Sequence, residues 1–445
     1  MEQMTADYLL ACAYLLLWVF TLGAYQFRNH TIDAGTSIIA TYVLYAVFSI
    51  VTISDPVFSA SFNELHLFPY LYLYVMLMLA LLPVIYNHLN PAQRIADPQT
   101  QLLKYLSVVI IICGLLQIPD IIANFQTGIV KLFLDSDAGK DAYLDHLDDV
   151  EGSGKSIRNL PAVVFNSLFD ISVFLCFYMM TLRKTKKDVW LIAGLAIAIF
   201  IGTLQPVMQG IRGNVIISLL TVILGYMFFR RYLSRLINRI VQTLGIIAIS
   251  IIALPIIAIT ISRFDERSSS GIAGALYWYI GQGSLYFNNY GLDAGGIRNG
   301  DRTANLFKRL IDPDTPQNFA ERRDKYYYLE MDDHYFTTFV GDFTIDYGPV
   351  AAFVIFVVFN LLVVTQIRPR DGTLRLDQML LIFFTACICM QGGMTLFAYS
   401  DTAGLRIVTQ GLLYAYLRLH AALLVYFPKD THIARNHEKN LPETT

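Results

Sequence analysis

Charge is scarce in this chain. Asp, Glu, Lys and Arg make up 15% of its residues against 55% hydrophobic ones, and the mean hydropathy is +0.49. A soluble domain carries about 25% charged residues, so the shortfall excludes an ordinary water-facing surface. The formal net charge of −2 excludes a general attraction to nucleic acid. Cysteine is sparse too. Cys12, Cys113, Cys176, Cys387 and Cys389 all fall inside apolar runs, without the spacing of a zinc site or a disulfide framework. The start, "MEQMTADYLL", lacks the basic region of a cleaved signal, so the first apolar run is expected to be a retained helix. Gly/Ser linkers, low-complexity segments and visible internal repeats are missing as well.

What fills the chain instead is apolar. "IVQTLGIIAISIIALPIIAITIS", Ile240 to Ser262, holds no charge and is long enough to cross a bilayer core of roughly 30 Å as a helix. Similar runs lie at about 8–25, 32–53, 67–86, 103–124, 161–182, 189–207, 214–229, 348–365, 378–398 and 404–426. The expected fold is an all-α polytopic membrane protein of about 11 transmembrane helices, with residues 1–445 as a single integral membrane domain.

Lys and Arg in short loops mark the cytoplasmic face. They collect in "RKTKKD" (Arg183 to Asp188), in "RRYLSRLINR" (Arg230 to Arg239), at Arg368, Arg370 and Arg375, and in the tail at Lys429, Arg435 and Lys439. Ser54 to His66 has none. The expectation is therefore an outer N-terminus and a cytoplasmic C-terminus. Two long loops then face outward, an acidic one at 126–160 and a larger one at 263–347. The second, rich in arginine and tyrosine, is too long and too aromatic for a plain connector.

Several residues on that outer side carry possible chemistry. Arg212, in "QPVMQGIRGNVIISLL", stands between Gly210 and Gly213, which allow a tight turn and close approach to backbone. Its guanidinium suits a phosphate held by two parallel hydrogen bonds, and equally a lipid headgroup reached by snorkelling. Arg263 follows the eighth run beside Asp265 and Glu266, where a ligand role competes with a local ion pair. Arg406, in "YSDTAGLRIVTQ", lies near the outer end of the last run, and an arginine inside the membrane is a functional candidate by default.

Before the ninth run comes "DDHYFTTFVGDFTIDYGP", Asp332 to Pro349. His334 could serve as a base or as a cation toward phosphate, or be an ordinary hydrogen-bonded surface histidine. Two adjacent acids do not make a metal site on their own. Asp342 and Asp346 are four residues apart and share one face if a helix begins near Phe339. There they could cap the helix, bind a sugar hydroxyl, or pair with the loop arginines. Gly348-Pro349 reads as a helix start or a kink.

Three of these stretches resemble bacterial O-antigen polymerases, the Wzy-type oligosaccharide repeat unit polymerases. They are "GIRGNVIISLL", "YWYIGQGSLYFNNYG" (Tyr277 to Gly291) and "FTTFVGDFTIDYGPVAAFV" (Phe336 to Val354), about fifty residues in all. The related O-antigen ligases place a histidine some fourteen residues before a glycine. His334 and Gly348 keep that spacing, while Ile345 stands where the ligase pattern has a further glycine.

The resemblance implies a glycosyltransferase of the GT-C type in a bacterial inner membrane. It would move a growing glycan from undecaprenyl diphosphate onto a new lipid-linked repeat unit at the periplasmic face. Arg212, Arg263 and Arg406 would bind the diphosphate, and His334, Asp342 or Asp346 would orient or deprotonate the attacking hydroxyl. The scheme needs no metal and no cofactor. Its partners would be undecaprenyl-diphosphate-linked oligosaccharides, membrane lipid and a chain-length regulator protein. An O-antigen ligase and a lipid-linked oligosaccharide flippase or transporter stand as the alternatives.

Overall fold

The computed structural model describes residues 2–89, 94–98, 100–125, 160–182, 185–208, 212–264, 271–317, 319–333, 335–368, 372–394, 401–426 and 433–435. Nearly all regular structure among them is helical. In chain order the helices are α1 (Glu2–Asn29), α2 (Ala34–Ser54), α3 (Pro56–Ser59), α4 (Leu67–Leu89), α5 (Leu102–Leu115), α6 (Ile118–Phe125), α7 (Leu160–Ser167) and α8 (Phe169–Leu182). Then follow α9 (Lys186–Met208), α10 (Arg212–Phe229), α11 (Arg235–Phe264), α12 (Gly271–Tyr290), α13 (Asn305–Lys308) and α14 (Phe319–Lys325). The last four are α15 (Thr338–Tyr347), α16 (Pro349–Gln366), α17 (Leu376–Gln391) and α18 (Asp401–Tyr426).

Eight described helices are long and apolar enough to cross a membrane, nine if the bent pair α7–α8 makes one span. They correspond to the first nine of the eleven apolar runs. The tenth run gives α17, a shorter apolar helix, and the eleventh gives α18, which does not qualify by length and composition. Arg406, Gln410, Arg418 and His420 interrupt its apolar face. The chain is a helical membrane protein. The acidic loop expected at 126–160 falls, up to residue 159, outside the described residues.

The chain divides into two compact units. One comprises 1–89, 266–366 and 385–405, and the other 90–265, 367–384 and 406–445. In the first, aromatic stacking joins α1, α2 and α4. Trp18 stacks on Tyr42 with centroids 4.7 Å apart, and Tyr14 on Tyr70 at 4.6 Å. Helix α12 falls inside the expected outer loop, yet residues 281–288 of it are all buried. Gly281 makes this possible. A Cβ there would lie 2.5 Å from the Phe48 backbone, so only glycine lets α12 reach α2. Ser49 Oγ then donates to the Gly281 carbonyl at 2.9 Å, and Thr52 Oγ1 to that of Tyr277 at 3.0 Å.

In the second unit, α8 packs with α9 and α10 around Phe174, which meets Phe229 and Phe383 at 5.3 and 5.4 Å. Three short strands, β1 (Arg94–Ala96), β2 (Thr373–Arg375) and β3 (Ile433–Arg435), form a sheet in the order β2-β1-β3. β1 runs parallel to β2, with Ile95 opposite Leu374, and antiparallel to β3, with Ile95 opposite Ala434.

Candidate functional site

Helix α15 carries the two aspartates that the sequence set on one face. It opens at Thr338, whose φ of 67° is a strained value for a β-branched residue. The N–H groups of Thr338 and Phe339 donate to the carbonyls of Met394 and Gly392, each at 2.8 Å. It closes at Gly348, where φ is 81° and the N–H returns to the Thr344 carbonyl at 2.8 Å. Pro349 then starts α16 with its ring in the first turn, which needs no N–H partner. The break separates a short buried helix from a membrane-crossing one.

Asp342 and Asp346 are 0% exposed. Arg302 Nε lies 2.9 Å from Asp342 Oδ1, and Arg298 Nε lies 2.9 Å from Asp346 Oδ1. The second oxygen of Asp346 accepts from both the backbone N–H and the hydroxyl of Thr303, each at 2.7 Å. Behind them Asp333 takes three guanidiniums. Arg302 Nη1 reaches its Oδ1 at 2.6 Å, and Arg298 and Arg322 bind it as well. Three buried arginines thus face three buried aspartates, each charge offset within one hydrogen-bonded body. Of the three roles open to Asp342 and Asp346 in the sequence, the structure pairs them with loop arginines.

Electrostatics follow from this packing. Burial pushes the Asp333 carboxyl upward, but Arg302, Arg298 and Arg322 overcome it and hold the group well below the usual carboxylate range. Beside it, burial likewise raises Asp301, while Lys308, Lys325 and the Tyr326 hydroxyl pull it down to a net lowered pKa. Lys325 Nζ lies 2.8 Å from Asp301 Oδ2, and Tyr326 donates to the same oxygen at 2.7 Å. Arg322 is lowered by burial and by its two arginine neighbours, against the pull of Asp333. The ensemble is a rigid scaffold for the loop. Asp333 ends it one residue before His334, which lies outside the described residues.

A different arrangement surrounds Arg406. Helices α7 and α8 meet at Leu168 with a 59° bend, which strips the carbonyls of Asn166 and Ser167 of their helical partners. One face of α18 replaces them. Arg406 Nε donates to the Asn166 carbonyl at 2.9 Å, and Thr409 Oγ1 to that of Ser167 at 2.7 Å. Next to these, Gln410 Nε2 donates to the carboxylate of Asp170 at 2.8 Å, a group that is only 3% exposed. The Arg406 guanidinium lies 5.9 Å over the Phe169 ring. No carboxylate among the described residues pairs with it.

Arg212 opens α10 and Arg263 lies in the last turn of α11; their side chains fall outside the described residues. Among the described residues no group of three His, Cys, Asp or Glu is placed to hold a metal ion. The sequence reading missed Asp170, although a lone acid within an apolar run was visible there. It also left Arg298, Arg302 and Arg322 as undifferentiated loop charges, because their partners lie far along the chain. No family model, curated protein or solved structure matches this chain.

Proposed function

We propose that this chain is a polymerase of lipid-linked oligosaccharide repeat units, such as those of O-antigen or a related surface polysaccharide. It acts at the periplasmic face of a bacterial inner membrane. The carrying observation is Arg406. It is a cation fixed through Nε at a helix break, stacked on an aromatic ring, with no carboxylate among the described residues to consume its charge. Arg298, Arg302, Arg322 and Arg323 of the outer loop are already committed to aspartates, whereas Arg406 keeps a guanidinium suited to an external anion.

Topology supports the same reading. Strands that share a ladder lie on one side of the membrane, so an even number of crossings must separate β1 from β2. The qualifying helices between them give an even number only if α7–α8 is one span. By the same count Leu306, between α11 and α16, lies on the side away from the sheet. A Cβ at Gly404 would meet Leu306 Cβ at 2.9 Å, so α18 starts on Leu306's side, while β3 after it pairs on the sheet's side. This favours crossings by both α17 and α18. Arg418 Nη1 of α18 lies 3.3 Å from Asp377 at the start of α17, as an antiparallel hairpin requires.

This count supports the reading of eleven crossings, and the Lys/Arg-rich loops on the sheet's side favour that side as the cytoplasmic one. On this reading Arg212, Arg263 and Arg406 belong to the outer side.

In the reaction, a hydroxyl of the new repeat unit attacks the anomeric carbon of the growing glycan. The new C–O bond forms as the bond to diphosphate breaks, and undecaprenyl diphosphate leaves. Arg406, with Arg212 and Arg263, stabilises the charge that develops on the leaving group. His334 takes the hydroxyl proton. Asp342 and Asp346, buried against arginines, hold the loop that carries His334. No metal or cofactor is required.

Deleting the gene should leave single repeat units on the lipopolysaccharide, and Arg406→Ala should fail to restore long chains at normal expression. A restored ladder would remove Arg406 from the mechanism. Lipid-linked polymer accumulating in the deletion would identify a ligase instead. One observation favours a second reading, a flippase or transporter, because a broken helix with buried Asp170 is a feature of such proteins. That reading requires the deletion to strand single lipid-linked units on the cytoplasmic side.

A further inference from the structure

Beyond α13 the chain continues as helical turns. The N–H groups of Lys308 and Arg309 donate to the carbonyls of Ala304 and Asn305, and those of Ile311 and Asp312 both donate to Lys308, all within 3.0 Å. This winding puts Phe307, Leu310 and Ile311 on one stripe. Leu310 and Ile311 are 83% and 86% exposed, and Phe307 about half. Lys308 turns the other way, onto buried Asp301, which Lys325 also binds. That shared grip brings the 325–328 turn alongside, with Tyr327 as exposed as the aliphatic pair. A solvated turn would keep its charges outward and its apolar side chains inward. Here Lys308 turns inward and the apolar side chains face outward, while Asp312 and Asp314 stay at the surface.

The stripe also has a neighbour. Leu306, next to Phe307, packs against Gly404 in the first turn of α18. On the proposed topology that turn stands where α18 enters the membrane, on the side away from the sheet. The segment is tethered at both ends by membrane-crossing helices, α11 and α16.

We propose that Phe307, Leu310 and Ile311, with Tyr327 beside them, dock into the headgroup and acyl boundary of the leaflet facing away from the three-stranded sheet. Aliphatic side chains enter the acyl boundary while a tyrosine ring occupies the headgroup level, the pairing that interfacial segments use. Because the stripe is tied through Lys308 and Asp301 to the Arg–Asp scaffold, docking sets the height of that scaffold above the bilayer. The inference rests on the proposed topology, not on the polymerase chemistry.

The test uses the full-length protein carrying Cys12→Ser and Cys113→Ser, which leaves its three buried cysteines in place. An NBD fluorophore is attached at Ile311→Cys or, as a control, at Asp314→Cys. Each is reconstituted in phosphatidylethanolamine–phosphatidylglycerol vesicles containing a doxyl-labelled phospholipid. Docking predicts at least about twofold stronger quenching by the doxyl lipid at 311 than at 314, and the reverse order with aqueous iodide.

Equal iodide quenching at both positions, with no lipid effect, would overturn the proposal. Protection at 311 from both quenchers would overturn it in favour of a partner protein or second copy. Impermeant maleimide reaching the thiol of the Asp314→Cys variant from outside intact cells is the parallel check on topology. If that label enters only after permeabilisation, the topology fails and the proposal with it. If it enters from outside while 311 remains in water, docking alone fails.

Discussion

Arg302 grips Asp333 twice: its Nη1 reaches the carboxylate Oδ1 at 2.6 Å and the backbone carbonyl of the same residue at 3.0 Å. Its Nε meanwhile faces Asp342. One guanidinium therefore ties the segment leading to position 334 onto helix α15. Asp333→Asn would leave three buried guanidiniums with one fewer negative partner. Loss of one member of a buried pair costs about 3–5 kcal/mol. We expect backbone amides between 298 and 346 to lose hydrogen-exchange protection to that extent in reconstituted vesicles. The same change at Asp332, which meets Arg323 on a half-open surface, should cost less than about 1 kcal/mol. Equal effects at 332 and 333 would contradict the scaffold.

The scaffold also fixes a pH response. The folded pKa of Asp333 lies below its unfolded value of about 3.9. Its stabilising contribution is then complete above that unfolded value and drains away as pH falls toward the folded one. Asp301 has the same sign. Protection of the 298–346 segment should stay flat from neutral pH down to about 5 and fall only below about 4. A decline centred near pH 6.5 would point to histidine instead.

Arg406 offers a test of geometry as opposed to charge. Its Nε holds the Asn166 carbonyl while the rest of the planar fork remains for an anion. Arg406→Lys keeps the charge but has only one ammonium for both tasks. On the proposed polymerase function, Arg406→Lys should shorten the glycan ladder nearly as far as Arg406→Ala, at equal protein level on immunoblots. A full-length ladder from the lysine variant would mean that charge alone suffices.

Gly281→Val should separate α12 from α2. A Cβ at that position would meet Phe48 backbone, which cannot swing aside as a side chain can. Overpacking of this kind costs about 1–3 kcal/mol, visible as a lowered melting temperature in detergent. An unchanged melting temperature would contradict the close helix approach.

The apolar runs were legible because membrane helices must satisfy their backbone internally and therefore read as long uncharged segments. The face shared by Asp342 and Asp346 was legible from a spacing of one helical turn. Helix α12 was not. Its glycines, Gln282, Ser284 and Asn288 lower its hydropathy to that of a loop, and close packing against α2 and α4 buries it. The break at Leu168 was hidden for a related reason. No proline or glycine marks it, and the groups that relieve it, Arg406 and Thr409, lie in another helix. The partners of the two aspartates were hidden too, because Arg298 and Arg302 reach them only through the turns of a folded loop.

The small sheet bears on the order in which the protein is made. Ile95 leaves the ribosome long before its parallel partner Leu374, and Ala434 comes later still. During synthesis Ile95 therefore waits uncovered while the intervening helices insert, offering a hydrophobic edge to chaperones on that face. A chain cut after Tyr426 would lack β3, leaving that edge of β1 unpaired for the life of the protein.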